Sequence, residues 1–300
     1  MEKEKKYSLF HIEGGLGKHI AATAVAKTIK NNHPDRELVV VCAYPQIFLN
    51  LKYVHRVYRI GNTPYFHKDY IEGKDSLIFK HEPYFTTDHI HKKLNLIENW
   101  CKLYNLEYNG EQPELKFNPR ELQKYNNMWK SNKPIFVIQS NGGMITQDSG
   151  LPYRWTRDMP YQIVQAIVDR YKDDYNILQV TRSGSPVAIG ATGVFHEMTS
   201  HELLSILLYS SKRLLIDSSL QHAAAALNLP STVLWVGTSS KLFGYDIHDN
   251  IHAEIPEDQK LPDSYFFDYD FEGLITDYPF ETETIFNIED IIKSLTKQGL

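Results

Sequence analysis

Five short, nearly continuous apolar runs recur along this chain, and each one ends in small or turn-forming residues. They are Glu37 to Cys42, Ile135 to Ile138, Asn176 to Val180, Arg213 to Ile216 and Thr232 to Val236. A strand that is apolar at consecutive positions is covered on both faces, as happens in parallel sheets flanked by helices. Leu9 to Ile12, Val54 to Ile60 and Ser76 to Phe79 read as further short strands. Helical patterns lie between them. Lys18 to Lys30, Leu220 to Leu227 and Ile288 to Lys297 are three. Asp88 to Tyr104 is a fourth, with Leu94, Ile97, Trp100, Cys101 and Tyr104 on one face, and Ser200 to Tyr209 a fifth, with Ser200 as the expected N-cap. This alternation predicts an α/β protein with helices on the faces of parallel sheets.

The 300 residues suffice for two domains. The stretch from Leu106 to Pro134 carries turn residues at Asn109-Gly110, Pro113 and Pro119, and Pro134 precedes a new buried strand. The expected boundary therefore falls near residue 132. It separates a Rossmann-like half, 1–132, from a second, 133–300, whose last part, 246–300, is an acidic, aromatic tail. A ligand cleft between the halves follows from that organisation.

Composition narrows the function classes. Hydrophobic residues make up 42% and charged residues 23%, and no apolar run is long enough to span a bilayer. The opening MEKEKKYSLF has no signal-peptide core, so a cytoplasmic protein is expected. Cys42 and Cys101, the two cysteines, lie in unrelated segments and suggest neither a disulfide framework nor a metal site. His89-Ile90-His91 lacks a convincing third ligand and reads as surface, so no metal site is expected. Net charge is −5, but residues 246–290 hold 14 acidic residues and one Lys. The rest of the chain is basic, with 31 Lys and Arg against 23 Asp and Glu. The acidic segment reads as a solvated surface, and the basic remainder suits a phosphorylated or polyanionic ligand.

Two segments carry chemistry. The first is His11-Ile12-Glu13-Gly14-Gly15-Leu16-Gly17-Lys18-His19, a strand, a glycine turn and a helix start. It is no Walker loop, because Ile12 stands where the first Gly belongs and His19 where Ser or Thr belongs. It is no dinucleotide fingerprint either, since Ile20 replaces the third Gly and Cys42-Ala43 ends the second strand without an acid. Free N–H groups at the helix start suit an anion or a sugar hydroxyl, or else the glycines only let helix and strand pack closely. The second segment is LLIDSSLQHAAAALNLPSTVLWVGTSS from Leu214. It places Asp217, Ser218, Ser219, His222 and Thr238 at the carboxyl ends of neighbouring strands, where open α/β sheets bind ligands. Hydroxyls and free N–H groups there suit a diphosphate.

Asp217-Ser-Ser-Leu-Gln-His-Ala-Ala-Ala-Ala-Leu-Asn-Leu-Pro230 resembles the donor segment of GT-B glycosyltransferases, above all the heptosyltransferases of lipopolysaccharide assembly. Their pattern runs Asp-Thr/Ser-Gly-x-x-His-x-Ala-Ala-Ala-x-x-x-Pro. Arg154-Trp155 before a helix, and the segment from Glu197 to Asp217, resemble the same family, so the likeness covers about residues 134 to 245. Gly14-Gly15-Leu16-Gly17 resembles the first glycine loop of GT-B enzymes, glycogen and starch synthases included. Two departures stand out. Lys18 occupies the place of the family's catalytic Asp, and Ser219 replaces a usual Gly.

The resemblance implies two facing Rossmann-like domains in GT-B architecture and metal-independent, inverting transfer from a nucleotide-diphosphate sugar, with no cofactor. Ser140, Asn141, Gly142, Arg154, Arg182, Asp217, Ser218, Ser219, His222 and Thr238 are the expected donor-side residues. Gly14, Gly15, Gly17 and Lys18 would line the acceptor side of the cleft. Glu13, at a strand end, is the expected base, with His19 as the other catalytic candidate. The acceptor is open: a glycan, a lipid or a modified nucleic-acid base. A non-hydrolysing nucleotide-sugar epimerase and a catalytically silent nucleotide-sugar-binding protein are the alternatives.

Overall fold

The computed structural model describes residues 5–142, 154–195, 198–259 and 277–298. Ten strands form two wholly parallel sheets. The first has β1 (Lys6–Ile12), β2 (Glu37–Cys42), β3 (Val54–Arg59) and β4 (Asp75–Phe79) in the order β3-β2-β1-β4. The second has β5 (Ile135–Gln139), β6 (Asn176–Thr181), β7 (Thr192–Phe195), β8 (Ser210–Ile216), β9 (Thr232–Trp235) and β10 (Asp249–His252) in the order β10-β9-β8-β5-β6-β7. The helices are α1 (Leu16–Asn32), α2 (Phe66–Tyr70), α3 (Thr87–Ile90), α4 (Leu96–Leu103), α5 (Pro119–Met128), α6 (Tyr161–Tyr171), α7 (Ser200–Ser205), α8 (Ser219–Ala226), α9 (Ser240–Phe243) and α10 (Ile288–Lys297).

The consecutive apolar positions are explained by burial on both faces. In β2, Leu38, Val40 and Cys42 join the main core, while Val39 and Val41 pack with Tyr7, Tyr58 and Tyr70 on the other face. In β5, Ile135 and Val137 face one cluster and Phe136 and Ile138 another.

Several elements differ from the sequence expectation. The helix expected from Asp88 to Tyr104 is two, α3 and α4. Lys92 takes a left-handed φ of 50° between them, and Asn95 caps α4 by accepting from the Ile97 N–H at 3.0 Å. The helix expected from Ser200 to Tyr209 is α only as far as Ser205 and continues as a 3-10 turn, Ile206–Tyr209. Its cap is Thr199, which forms a reciprocal capping box with Glu202. α5 arises within the stretch read as a break. Pro119 sits in its first turn, and Asn118 and Glu121 cap each other's backbone N–H groups. His89 is not surface: it is 2% exposed, and its ring meets Tyr84 and Phe243 edge-on.

The halves meet through α1 and α8. Both are rich in alanine at the contact, with Ala21, Ala22, Ala24, Ala223 and Ala224 buried, so their backbones approach closely. A single apolar cluster runs from Phe10 and Ile12, through Ile20 and Val25, to Leu215, Leu220 and Val233. Polar links flank it. Gln46 donates to the Ser200 hydroxyl at 2.9 Å, and Asn95 donates to the Gly244 carbonyl at 3.2 Å. Trp129, just past α5, donates to Ser205 at 2.8 Å.

Gly17 sits at the tightest point of this contact. A Cβ there would lie 2.7 Å from His222 Cδ2 and 3.4 Å from the Ser219 Cα. Gly15, by contrast, has open space, and Gly14 has a φ of 97° that an L side chain rarely adopts. Gly17→Ala is therefore expected to destabilise the fold by about 1–3 kcal/mol through overpacking, despite the helix propensity of Ala. Gly15→Ala should cost less than about 1 kcal/mol. Urea unfolding of the two variants checks the order, and an equally tolerated Gly17→Ala would contradict the close contact.

Candidate active site

The expected donor side lies where β5, β8 and β9 end. The three strands are neighbours and parallel, so their carboxyl ends open on one edge. The ends of β5 and β9 are tied to one irregular segment. Met159 donates its N–H to the Ser140 carbonyl at 2.9 Å, and Gly237 donates to the Thr156 carbonyl at 2.8 Å. The fit at Gly237 is tight, since a Cβ there would lie 3.0 Å from Thr156 Cβ. Asp158 accepts the Gly142 N–H at 3.2 Å, and Arg182 bonds both Asp158 and the Gly142 carbonyl. The Arg182 and Asp158 side chains are 4% and 10% exposed, so this is a buried ion pair. Both terminal nitrogens of Arg182 are thus spent on bracing the β5 turn, while its buried Nε has no hydrogen-bond partner among the described residues.

Ser140 and Asn141 belong to the same brace. The Ser140 hydroxyl accepts from Gln179 at 2.9 Å, and Asn141 accepts the Thr181 hydroxyl. Gly142 faces Ser218: a Cβ on the glycine would lie 3.4 Å from the serine hydroxyl. Arg154 opens the 3-10 turn Arg154–Thr156, and its side chain lies outside the described residues.

The start of α8 carries no side-chain cap, although Ser218 occupies the N-cap position. Its first N–H groups are left for a ligand or water. Asp217 closes β8 and is 7% exposed. Burial raises its pKa, against the opposing pull of the Arg157 guanidinium and the Thr238 hydroxyl. Arg157 is itself exposed, and its charge also acts on His222 and Tyr84. None of the hydrogen bonds or ion pairs among the described residues uses it. The sequence reading missed this residue, although it lies two positions past Trp155 in the segment that carried the resemblance. Gln139, at the end of β5, is fully buried with neither amide atom hydrogen-bonded among the described residues.

The histidines are neutral parts of the framework. His222 Nδ1 lies 2.8 Å from the Tyr245 hydroxyl, and burial drives its pKa down to about 3. His19 donates from Nδ1 to the Gly15 carbonyl at 2.9 Å, and its Nε2 accepts the Ala43 N–H at 3.1 Å. Burial lowers it to about 4, and neither ring nitrogen is left for an acceptor's proton. His248 donates to the Gln221 carbonyl at 2.9 Å and is lowered to about 4 by burial.

On the facing half, Glu13 has 62% of its side chain exposed and lies 3.7 Å from His11. Lys18 turns the other way. Its side chain, 7% exposed, pairs with Glu82 and lies over the rings of Tyr84 and Trp100, 5.1 and 5.4 Å from their centroids. The expected open crevice at the glycine turn is filled at Gly17 by the contact with His222 and Ser219. Among the described residues no group of three or more His, Cys, Asp or Glu side chains is placed to hold a metal ion, and no helix is long and apolar enough to cross a membrane.

Two outcomes follow. Arg182→Met leaves Asp158 buried and unpaired, so stability should fall by about 3–5 kcal/mol in chemical unfolding; a change below 1 kcal/mol would contradict the brace. His19, His222 and His248 have folded pKa values well below the ordinary 6.5. Their contribution is complete above pH 6.5 and is lost as pH falls toward 4, because the unfolded chain takes up the protons first. The slope is about 1.4 kcal/mol per pH unit for each proton at most. Melting temperature should fall steeply between pH 6.5 and 4, and His248→Gln should shallow that fall.

The sequence matches no protein-family model and no curated protein. Solved structures do share the fold. A glycosyl transferase of family 9 from Veillonella parvula superposes with a TM-score of 0.66 at 11% identity, covering 99% of this chain and 98% of its own. The iron-containing dodecameric glycosyltransferase TibC of enterotoxigenic E. coli gives 0.67 at 14% identity, covering 99% and 76%. The E. coli ADP-heptose lipopolysaccharide heptosyltransferase II gives 0.60 at 12% identity, covering 82% and 89%. The chain therefore has the two-sheet α/β fold of the GT-B glycosyltransferases, the fold class its sequence implied.

Proposed function

We propose that this chain is a glycosyltransferase that moves a sugar from a nucleoside-diphosphate sugar to an acceptor hydroxyl. The observation that carries the reading is the uncapped start of α8, with Ser218 and Ser219 at the end of β8 and the Thr238 hydroxyl at the end of the neighbouring β9. A leaving diphosphate gains negative charge as its bond to the sugar breaks. Backbone N–H groups, hydroxyls and one free guanidinium meet that need, and Arg157 takes the cationic role in this reading. Arg182 acts at one remove, by fixing Gly142 against Ser218. Asp217 faces Arg157 and Thr238, and suits a hydroxyl of the donor.

The fold neighbours support the same class. One is the dodecameric heptosyltransferase TibC in complex with ADP-D-β-D-heptose, at 12% identity and a TM-score of 0.62. An adenosine diphosphate sugar is therefore the first donor to try. The acceptor, glycan, lipid or modified nucleic-acid base, would enter from the side of Gly14 and Gly15.

A thermal-shift panel of nucleoside diphosphates and their sugars tests the reading. The true donor should stabilise the chain by about 2.7 kcal/mol at a hundredfold excess over its Kd. The double variant Ser218→Ala with Ser219→Ala should bind it about tenfold or more weakly, since hydrogen bonds to charged groups contribute about 1.5–3 kcal/mol. Arg157→Met should also weaken it while leaving the melting temperature of the free protein unchanged. No stabilisation by any nucleoside diphosphate would refute the proposal. Conversion of the free nucleotide sugar to its epimer, with no acceptor present, would replace it with the epimerase reading.

A further inference from the structure

We propose that Glu82 is the catalytic base of this site and that Lys18 positions its carboxylate. The assignment rests on the glycosyl-transfer reading above and names a residue of that same site. Glu82 lies on the loop between β4 and the 3-10 turn Pro83–Phe85. β4 runs parallel beside β1, so this loop and the glycine turn leave the sheet side by side. Lys18 stands in the first turn of α1, next to Gly17, the residue in contact with His222 and Ser219 of the donor half. The Lys18–Glu82 pair therefore sits at the junction of the two halves.

The two members of the pair are unequally placed. The Lys18 side chain is buried, held by its ion pair and by the faces of Tyr84 and Trp100. Glu82 keeps 35% of its side chain exposed. Only its Oε2 is engaged, by the Lys18 ammonium, and among the described residues nothing bonds its Oε1. One oxygen is thus fixed and the other is open, which is the arrangement a base needs to meet an incoming hydroxyl. Tyr84, two residues further along, lies with its ring under the Lys18 ammonium and so holds the pair from the same turn. The other candidates are worse placed. Glu13 is largely solvated, and both ring nitrogens of His19 are occupied.

In the proposed step the acceptor hydroxyl loses its proton to Glu82 Oε1 as its oxygen bonds to the anomeric carbon. The bond from that carbon to the diphosphate breaks, and its electron pair leaves on the diphosphate at the start of α8. The Lys18 ammonium holds the carboxylate in place through the ion pair and takes no part in the proton transfer. The titratable groups that feel the Glu82 charge are His11, Tyr84 and Tyr104, with Lys18 as its ion-pair partner; Glu13 and Lys80 act on the same His11.

The test uses the full chain, the nucleoside-diphosphate sugar selected by the thermal-shift panel, and water as the acceptor, with release of the nucleoside diphosphate as readout. Glu82→Gln should slow release by about 10²–10⁴-fold while the donor-induced thermal shift stays unchanged. The acid limb of the pH–rate profile, where protonation of the base stops turnover, should disappear in that variant. Lys18→Met should lower the rate without weakening the donor-induced shift, and Lys18→Arg, which keeps a cation against the carboxylate, should recover most of that loss. A Glu82→Gln chain that turns over at the natural rate overturns the assignment. So does one whose turnover falls only in step with donor binding, a Lys18→Met chain that turns over at the natural rate, or a natural chain that binds a donor and never turns it over. A natural chain that no nucleoside diphosphate stabilises instead sinks the glycosyl-transfer reading itself.

Discussion

The contact between the starts of α1 and α8 is the constraint on which the rest of the molecule depends. Gly17 admits the ring of His222, alanines on both helices let the backbones close, and a continuous apolar cluster joins the two sheets beneath them. This one packing decision sets where the glycine turn of the first half stands relative to the strand ends of the second. It also explains a buried, neutral histidine in that helix. His222 is held between Gly17 and the Tyr245 hydroxyl, where desolvation disfavours its charged form. Its place is that of a spacer in the interface, beside the start of α8 rather than free within the cleft.

Around that fixed junction, polar groups divide into those spent on structure and those left over. Arg182, Asp158, Ser140 and Asn141 satisfy one another and the β5 turn. The N–H groups at the start of α8, the Arg157 guanidinium and one oxygen of Glu82 have no such partner among the described residues. Groups not spent on protein partners are free to meet a ligand. On the proposed reading their distribution, cationic and N–H-rich on the second half and a carboxylate on the first, matches a reaction in which negative charge leaves one way and a proton the other.

The sequence revealed what local pattern controls and hid what topology controls. β2 and α10 have the limits read from the chain, because two-sided burial and a clean amphipathic period leave a local trace. β7 and β10 were missed because Thr192–Phe195 and Asp249–His252 are short edge strands without an apolar run. α5 was hidden by reading Pro119 as a breaker, when the Asn118-Pro119-x-Glu121 spacing is itself a helix-start signal. In the site, Ser218, Ser219 and Thr238 were legible because they follow buried strands directly. The partners of Arg182, Gly17 and Lys18 were not, since Asp158, His222 and Glu82 lie 24, 205 and 64 positions away. Such pairings exist only once the sheets are assembled. His89 misled for the same reason: it reads as surface like His91, which is exposed, until α3 folds it against Tyr84 and Phe243.

The central claim, that the start of α8 holds the donor's diphosphate, is tested most directly by a crystal structure of the chain with adenosine diphosphate. The account predicts phosphate oxygens within about 3 Å of the backbone N–H of Ser219 or Leu220, with the Ser218 hydroxyl and Arg157 turned toward them. A diphosphate seated anywhere else on the chain, with the first turn of α8 still contacting only protein, would contradict it.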